Sequence, residues 1–72
     1  MTEQEARAIL QKFRKKNEDT GKEYGFIIQE CCGRDGDGYV FQCKAEGFAY
    51  GKDAKLPLIG VYPDGEILSL PI

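Results

Sequence analysis

The chain contains no histidine among its 72 residues. Histidine is the commonest general base in enzymes, a frequent zinc ligand and the side chain that most readily changes charge near neutral pH. Its absence removes most of the catalytic mechanisms and pH switches open to a protein of this size. We therefore predict that the protein is not an enzyme, and we expect neither catalytic residues nor a bound cofactor.

Cysteine occurs an odd number of times, at Cys31, Cys32 and Cys43. An odd count argues against the closed disulfide framework of small secreted proteins, and a structural zinc site needs four thiolate or imidazole ligands. The pattern favours reduced thiols that pack as small hydrophobic side chains, and no metal site is expected. A disulfide between Cys43 and either Cys31 or Cys32 stays open, because a hairpin would place the two segments side by side.

Long apolar segments are also lacking. No run of apolar residues approaches the roughly 20 that are needed to span a bilayer. The N-terminus is polar and amphipathic, without the apolar centre of a signal peptide. We expect a cytoplasmic protein without membrane association.

Residues 31–38, CCGRDGDG, contain an Asp-x-Asp-Gly pattern that invites a calcium interpretation. An EF-hand loop that began at Asp35 would require an oxygen ligand at its fifth position and glycine at its sixth, where Tyr39 and Val40 stand. A phosphate loop is equally disfavoured, because no helix follows and two carboxylates would repel the phosphate. Residues 33–38, GRDGDG, are interpreted mainly as a turn between two strands.

Charge is unevenly distributed although the formal net charge is only −2. Residues 1–17 carry five cations and two carboxylates, whereas the rest of the chain carries five cations and ten carboxylates. A predominantly acidic surface repels nucleic acid and favours a basic partner. The N-terminal cations are interpreted as the solvated face of a helix rather than as a nucleic-acid contact.

The first segment carries the signals of a helix. Thr2 and Glu5 have the spacing of a capping box, in which each side chain satisfies a backbone N–H. The apolar residues that follow recur at helical spacing, at Ala6, Ile9, Leu10 and Phe13. We predict a helix over residues 3–17, with its last turn formed by the cations at 14–16.

Alternating apolar and polar residues then predict strands at residues 24–32, 39–45, 58–62 and 66–70. Residues 17–22 are a polar connector, residues 46–55 are either a strand extension or a loop, and residues 63–65, Pro-Asp-Gly, are a hairpin turn. The predicted fold class is α+β, in a single domain over residues 1–72. One N-terminal helix packs on a small antiparallel sheet of three to four strands in a two-layer sandwich. The sheet face away from the helix is predicted to carry Ile27, Gln29, Cys31, Val40, Gln42 and Lys44, or the complementary set of residues if the register is inverted.

The C-terminal half begins a strand with Gly38, Tyr39 and Phe41, continues through a charged and aromatic segment, and ends in an apolar strand after Asp64. In these features residues 38–72 resemble the immunity-protein-35 (YrhB-like) family of bacterial toxin-immunity systems. PepSY-like modules share a similar final hairpin. The family's usual Gly-Asn-x-Pro is replaced here by Lys-Leu-Pro-Leu at residues 55–58. The resemblance implies a cytoplasmic protein that binds a toxin and has no catalytic residues.

Acidic composition and this resemblance together predict a non-enzymatic, immunity-like protein-binding module. Its expected partner is a more basic protein, such as a basic toxin, which an acidic sheet-side surface would occlude. Aromatic anchors among charged residues suit such an interface. The predicted contact residues are Glu46, Phe48, Tyr50, Asp53, Asp64 and Glu66. The alternative is a self-assembling structural protein, such as a homodimer, because a chain of this length has a small core and an unpaired strand at a sheet edge.

Overall fold

The computed structural model describes residues 1–70, which contain one helix and two antiparallel sheets. The elements are α1 (Glu3–Lys12), β1 (Lys15–Lys16), β2 (Glu23–Tyr24), β3 (Phe26–Asp35), β4 (Gly38–Ala45), β5 (Leu58–Val61) and β6 (Ile67–Leu70). Strands β3 to β6 form a four-stranded sheet in sequence order, and β1 and β2 form a separate two-stranded sheet. The predicted α+β class, with a helix packed on an antiparallel sheet, is confirmed. The helix of residues 1–70 is not long and apolar enough to cross a membrane.

The start of α1 follows the predicted capping box. The Glu5 N–H donates to Thr2 Oγ1 at 3.1 Å, and the Thr2 N–H donates to Glu5 Oε1 at 2.9 Å. The backbone N–H of Thr2 is also the main reason that the pKa of the Glu5 carboxyl lies below its ordinary value. These bonds satisfy N–H groups that a helix N-terminus leaves without a partner inside the helix. Ala6 and Leu10 then face the sheet and are fully buried.

The helix ends at Lys12, so the prediction that it extends to residue 17 is wrong. Phe13 is the C-cap, in extended conformation, and its ring stacks on Phe26 with the centroids 6.0 Å apart. The Arg14 guanidinium donates to the carbonyls of Gln11 and Phe13, at 3.0 and 2.9 Å. Side-chain cations commonly satisfy the last carbonyls of a helix in this way. With Phe13 packed on the sheet in extended conformation, the helix ends at Lys12, before the cations at 14–16 that were predicted to form its last turn.

The cations at residues 15 and 16 form a strand instead of a last helical turn. Lys15 lies opposite Tyr24 and Lys16 opposite Glu23 in a two-residue antiparallel pairing. The predicted connector, residues 17–22, is the turn of this hairpin and is held by the Asn17 N–H, which donates to the Lys22 carbonyl at 2.8 Å. The predicted strand at 24–32 is thus divided between β2 and β3.

Strand β3 is irregular, which changes the side of the sheet on which one predicted residue lies. Its register against β4 shifts between Ile28 and Glu30, and again between Cys31 and Gly33. An extra residue in one strand reverses the faces of the residues that follow. Cys31 was expected on the face away from the helix, and this is wrong: it pairs with Phe41 and packs against the core.

The core lies between α1 and the sheet. Its buried members are Ala6, Leu10, Phe41, Cys43, Ile59 and Val61. Residues 46–55, left open between strand and loop by the sequence, belong to a loop over residues 46–57 that completes the hydrogen bonding of β4. The Cys43 N–H donates to the Pro57 carbonyl at 3.0 Å, and the Ala45 N–H donates to the Tyr50 hydroxyl at 3.1 Å. The loop thereby replaces strand pairing where β5 has not yet begun.

Candidate protein-binding surface

The sheet face opposite α1 is not covered by any helix of residues 1–70. We call this surface the outer face. Cross-strand pairing places Gln42 beside Leu58, and Leu58 beside Leu70. Its side chains are those of Ile27, Glu30, Val40, Gln42, Lys44, Leu58, Leu68 and Leu70. Ile27 is 50% exposed and Leu68 41% exposed, which leaves apolar side chains in contact with solvent on a sheet.

Tyr62 extends the outer face at one end of the sheet. Its ring lies directly over Gly38 and Gly60, where any side chain on either glycine would collide with it. An aromatic ring placed over strand glycines replaces the packing that they lack. The Tyr62 hydroxyl donates to Asp35 Oδ2 at 2.7 Å, and this hydrogen bond is the main cause of a raised pKa for Tyr62. Tyr62 therefore connects the outer face to the turn between β3 and β4.

Four carboxylates surround Tyr62 and form what we call the acidic rim. They are those of Asp35, Asp37, Asp64 and Glu66, and they line a cavity of about 450 Å³ together with Tyr62. Asp35 accepts from Tyr62, and Asp64 Oδ1 accepts from the Glu66 N–H at 2.9 Å. Within residues 1–70 no group of three or more carboxylate or thiol side chains is placed to hold a metal ion. The rim can offer hydrogen-bond acceptors and negative charge to a cationic side chain.

The structure divides the predicted contact residues between the two ends of the sheet. Asp64 and Glu66 belong to the acidic rim, whereas Glu46 and Phe48 follow the far end of β4. Since the first and last of the eight residues of β4 are seven steps of about 3.4 Å apart, the two groups lie roughly 24 Å from each other. The exposed Asp53 belongs to the loop over residues 46–57. The six residues therefore do not form one continuous patch.

Besides Asp64, whose carboxylate accepts from the Glu66 N–H, two of the predicted contact residues have structural hydrogen bonds to the backbone. Glu46 Oε1 accepts from the Gly25 N–H at 2.7 Å, and the Tyr50 hydroxyl accepts from the Ala45 N–H. Phe48 is half exposed and meets the ring of Tyr24 edge-on, with 5.4 Å between the centroids. Substitutions at Glu46 or Tyr50 would therefore disturb backbone contacts as well as any interface.

Sequence reasoning missed Asp35, Asp37 and Tyr62 as members of a site. The Asp-Gly-Asp-Gly stretch is interpreted from the sequence only as a turn, and Tyr62 only as the last residue of a strand. In a sheet whose strands follow sequence order, alternate turns lie at the same end, so the β3–β4 and β5–β6 turns become neighbours. This strand order is the feature from which the site could have been predicted, because it brings the carboxylates of both turns together around Tyr62.

The three thiols occupy different environments and are all unpaired. Cys32 is exposed and Cys31 half-buried, whereas Cys43 is fully buried. Burial, followed by the charge of Cys32, raises the pKa of Cys43 to about 11. The neutral thiol of Cys43 therefore contributes stability that is fully present below pH 9 and is lost as the pH rises through about 11.

Thiol labelling is expected to follow these environments. With Ellman's reagent at pH 7.5, Cys32 should react first and Cys43 only after unfolding, because the reacting species is an accessible thiolate. Mass spectrometry of the labelled peptides identifies each site, and labelling in denaturant, where all three thiols should react, is the control. Modification of Cys43 in the folded protein as fast as that of Cys32 would contradict the placement of β4 in the core.

The chain was compared with known protein families, curated proteins and solved structures. The chain matches no protein-family model, no curated protein and no solved structure.

Proposed function

We propose that the protein is a small non-enzymatic binding module that docks on a more basic protein through the outer face and the acidic rim. The observation that carries the proposal is an uncovered sheet face with exposed apolar residues, bordered at one end by four carboxylates around a tyrosine. Interfaces commonly combine an apolar centre, an aromatic anchor and a polar border. This surface has all three within one side of the molecule.

Each part of the surface has a distinct role in the proposed contact. Burial of Val40, Leu58 and Leu68 supplies a non-directional attraction that grows with the apolar area removed from water. The rim carboxylates accelerate encounter with a positively charged partner and disfavour acidic competitors. Tyr62 presents a rigid ring, since it is already held by Asp35.

The resemblance of residues 38–72 to a toxin-immunity family supports a more specific form of the proposal. In that form the partner is a basic toxin, and the module inhibits it by covering the toxin's working surface. No chemistry on the module is required for such inhibition.

Charge reversal at the rim tests the proposal. The carboxylates of Asp37 and Glu66 make no hydrogen bond within residues 1–70, so the double variant Asp37→Lys/Glu66→Lys should leave the fold intact. A partner captured from the native cell and then purified should bind this variant at least about tenfold more weakly than the unmodified protein, by calorimetry. The difference should shrink as salt is raised, because ions screen exposed charges.

The matched control places the same change of charge at the opposite end of the sheet. Glu18 and Glu23 lie on the β1–β2 hairpin and are exposed. Glu18→Lys/Glu23→Lys should bind the purified partner within about twofold of the unmodified protein. Equal weakening in both double variants would show that net charge alone matters, and it would contradict docking at the rim.

Self-association through the outer face is the second candidate function. The exposure of Ile27 and Leu68 favours it, because a second copy would cover the same apolar residues. Sedimentation equilibrium distinguishes the two candidates: a monomer at high micromolar concentration excludes the homodimer.

A further inference from the structure

The four-stranded sheet has two edges, and they are built differently. The edge strand β3 has two register shifts along its length and carries charged side chains, including Glu30 and Arg34. Bulges and charges are the features with which natural proteins prevent an edge strand from pairing with another chain. The β3 edge is thus protected.

The opposite edge strand, β6, has none of these protections. Its four residues, Ile-Leu-Ser-Leu, contain no charge and no proline, and its register against β5 is unbroken from Leu58 to Val61. Within residues 1–70, β5 is the only strand paired with it. An uncharged, regular edge is a template for an additional strand.

The hydrogen-bonding pattern of the β5–β6 hairpin shows which backbone groups face this open edge. The Tyr62 N–H donates to the Glu66 carbonyl at 3.0 Å. Because hydrogen-bonded and non-hydrogen-bonded pairs alternate in antiparallel sheets, Leu68 directs its backbone groups toward β5. Ile67 and Ser69 therefore direct theirs outward.

We propose that β6 receives an extended segment of the partner as an antiparallel fifth strand, and that this segment ends in basic residues at its C-terminal side. This inference rests on the proposed function and specifies how the partner is held. Main-chain hydrogen bonds to Ile67 and Ser69 supply the pairing. Leu68 and Leu70, on the outer face, contact alternate side chains of the added segment.

Charge complementarity determines both the chemistry of the added strand and the direction in which it runs. Glu66 and Asp64 lie immediately before β6, so the acidic rim is at the Ile67 end of the edge. The C-terminal end of an antiparallel segment reaches that end, where cations would meet carboxylates. A second copy of this chain fits less well, because its own β6 contains no cation to offer.

Synthetic peptides test the edge directly. The probe is a short peptide of alternating threonine and valine that ends in lysine and arginine, added at millimolar concentration to the ¹⁵N-labelled full chain. The amide resonances of Ile67 and Ser69 should shift, and their hydrogen exchange should slow. Peptides with the two cations at the N-terminal end, or with N-methylated backbone, should bind at least about tenfold more weakly. Equal binding of all three peptides, or shifts confined to other strands, would overturn strand addition.

A proline substitution tests the same edge with the purified partner. Ser69→Pro removes an outward N–H, which an edge strand tolerates, whereas Ser69→Ala retains it. We expect at least about tenfold weaker binding for Ser69→Pro and a change within about twofold for Ser69→Ala. If Ser69→Pro binds normally while Asp37→Lys/Glu66→Lys does not, docking at the rim stands and strand addition is wrong. If both bind normally, the proposed function also fails.

Discussion

Replacement of Phe41 by alanine should remove a large share of the protein's free energy of unfolding. Phe41 is fully buried at the centre of the sheet, with the Arg7 guanidinium 5.4 Å above its ring. Phenylalanine-to-alanine changes in a core cost about 3–5 kcal/mol, whereas a chain of this length has roughly 4–11 kcal/mol in total. Urea unfolding followed by circular dichroism should show a much lower midpoint. If the variant does not fold, Phe41→Leu should give a smaller loss that is still measurable.

Phe48 provides the matched control, because it is the same residue type with half of its surface exposed. Phe48→Ala should cost less than about 1 kcal/mol, since truncation there removes an edge-on contact with Tyr24 and leaves no closed cavity. Similar losses at positions 41 and 48 would contradict a core built around β4.

Addition of a single methyl group at Gly38 should be the next most damaging change. Gly38→Ala would place a Cβ against the Val61 carbonyl oxygen on the neighbouring strand and against the ring of Tyr62. Because a backbone atom cannot yield as a flexible side chain can, we expect a loss of about 1–3 kcal/mol, or more if β5 shifts. Chemical denaturation measures the loss, and the Tyr62 side-chain resonances should report displacement of the ring.

Gly51 is the appropriate comparison for that substitution. Within residues 1–70, apart from its two neighbours in the chain, no atom lies within 4 Å of the position that a Cβ would take there, and its backbone does not adopt positive φ. Gly51→Ala should therefore change the free energy of unfolding by no more than about 0.5 kcal/mol. An equal effect at the two glycines would mean that the close approach of β4 and β5 at Gly38 is not what makes the substitution costly.

The predictable parts of the fold are those set by neighbours in sequence. The capping box at Thr2 fixes the start of α1, and the Pro-Asp-Gly stretch fixes the last hairpin turn, because both depend on residues within one turn of each other. The end of α1 depends instead on Phe13 reaching Phe26, and the face occupied by Cys31 depends on a bulge in β3. Neither the contact between Phe13 and Phe26 nor the bulge in β3 can be predicted from the local spacing of apolar residues.

The same distinction applies to the candidate site. The acidic character of the surface follows from composition, and Asp64 and Glu66 were identified from it. The structural role of Glu46 does not follow from composition, because its carboxylate accepts a hydrogen bond from the backbone N–H of Gly25, which is 21 residues away in the sequence. The placement of Asp35 beside Tyr62 joins residues 27 positions apart. Contacts between residues so far apart in the sequence depend on how the strands pair in the folded sheet, so the sequence pattern alone does not predict them.

The hydroxyl of Tyr62 joins two hairpins that the chain builds separately. Its bond to Asp35 fastens the β5–β6 turn to the β3–β4 turn, so the carboxylates of both are pre-organised before any partner arrives. Pre-organised groups lose less conformational freedom on association than mobile ones. In strongly alkaline solution this hydrogen bond would be lost, because ionised Tyr62 has no proton to donate to Asp35. The ionised Tyr62 and the Asp35 carboxylate would then repel each other, which would separate the two turns.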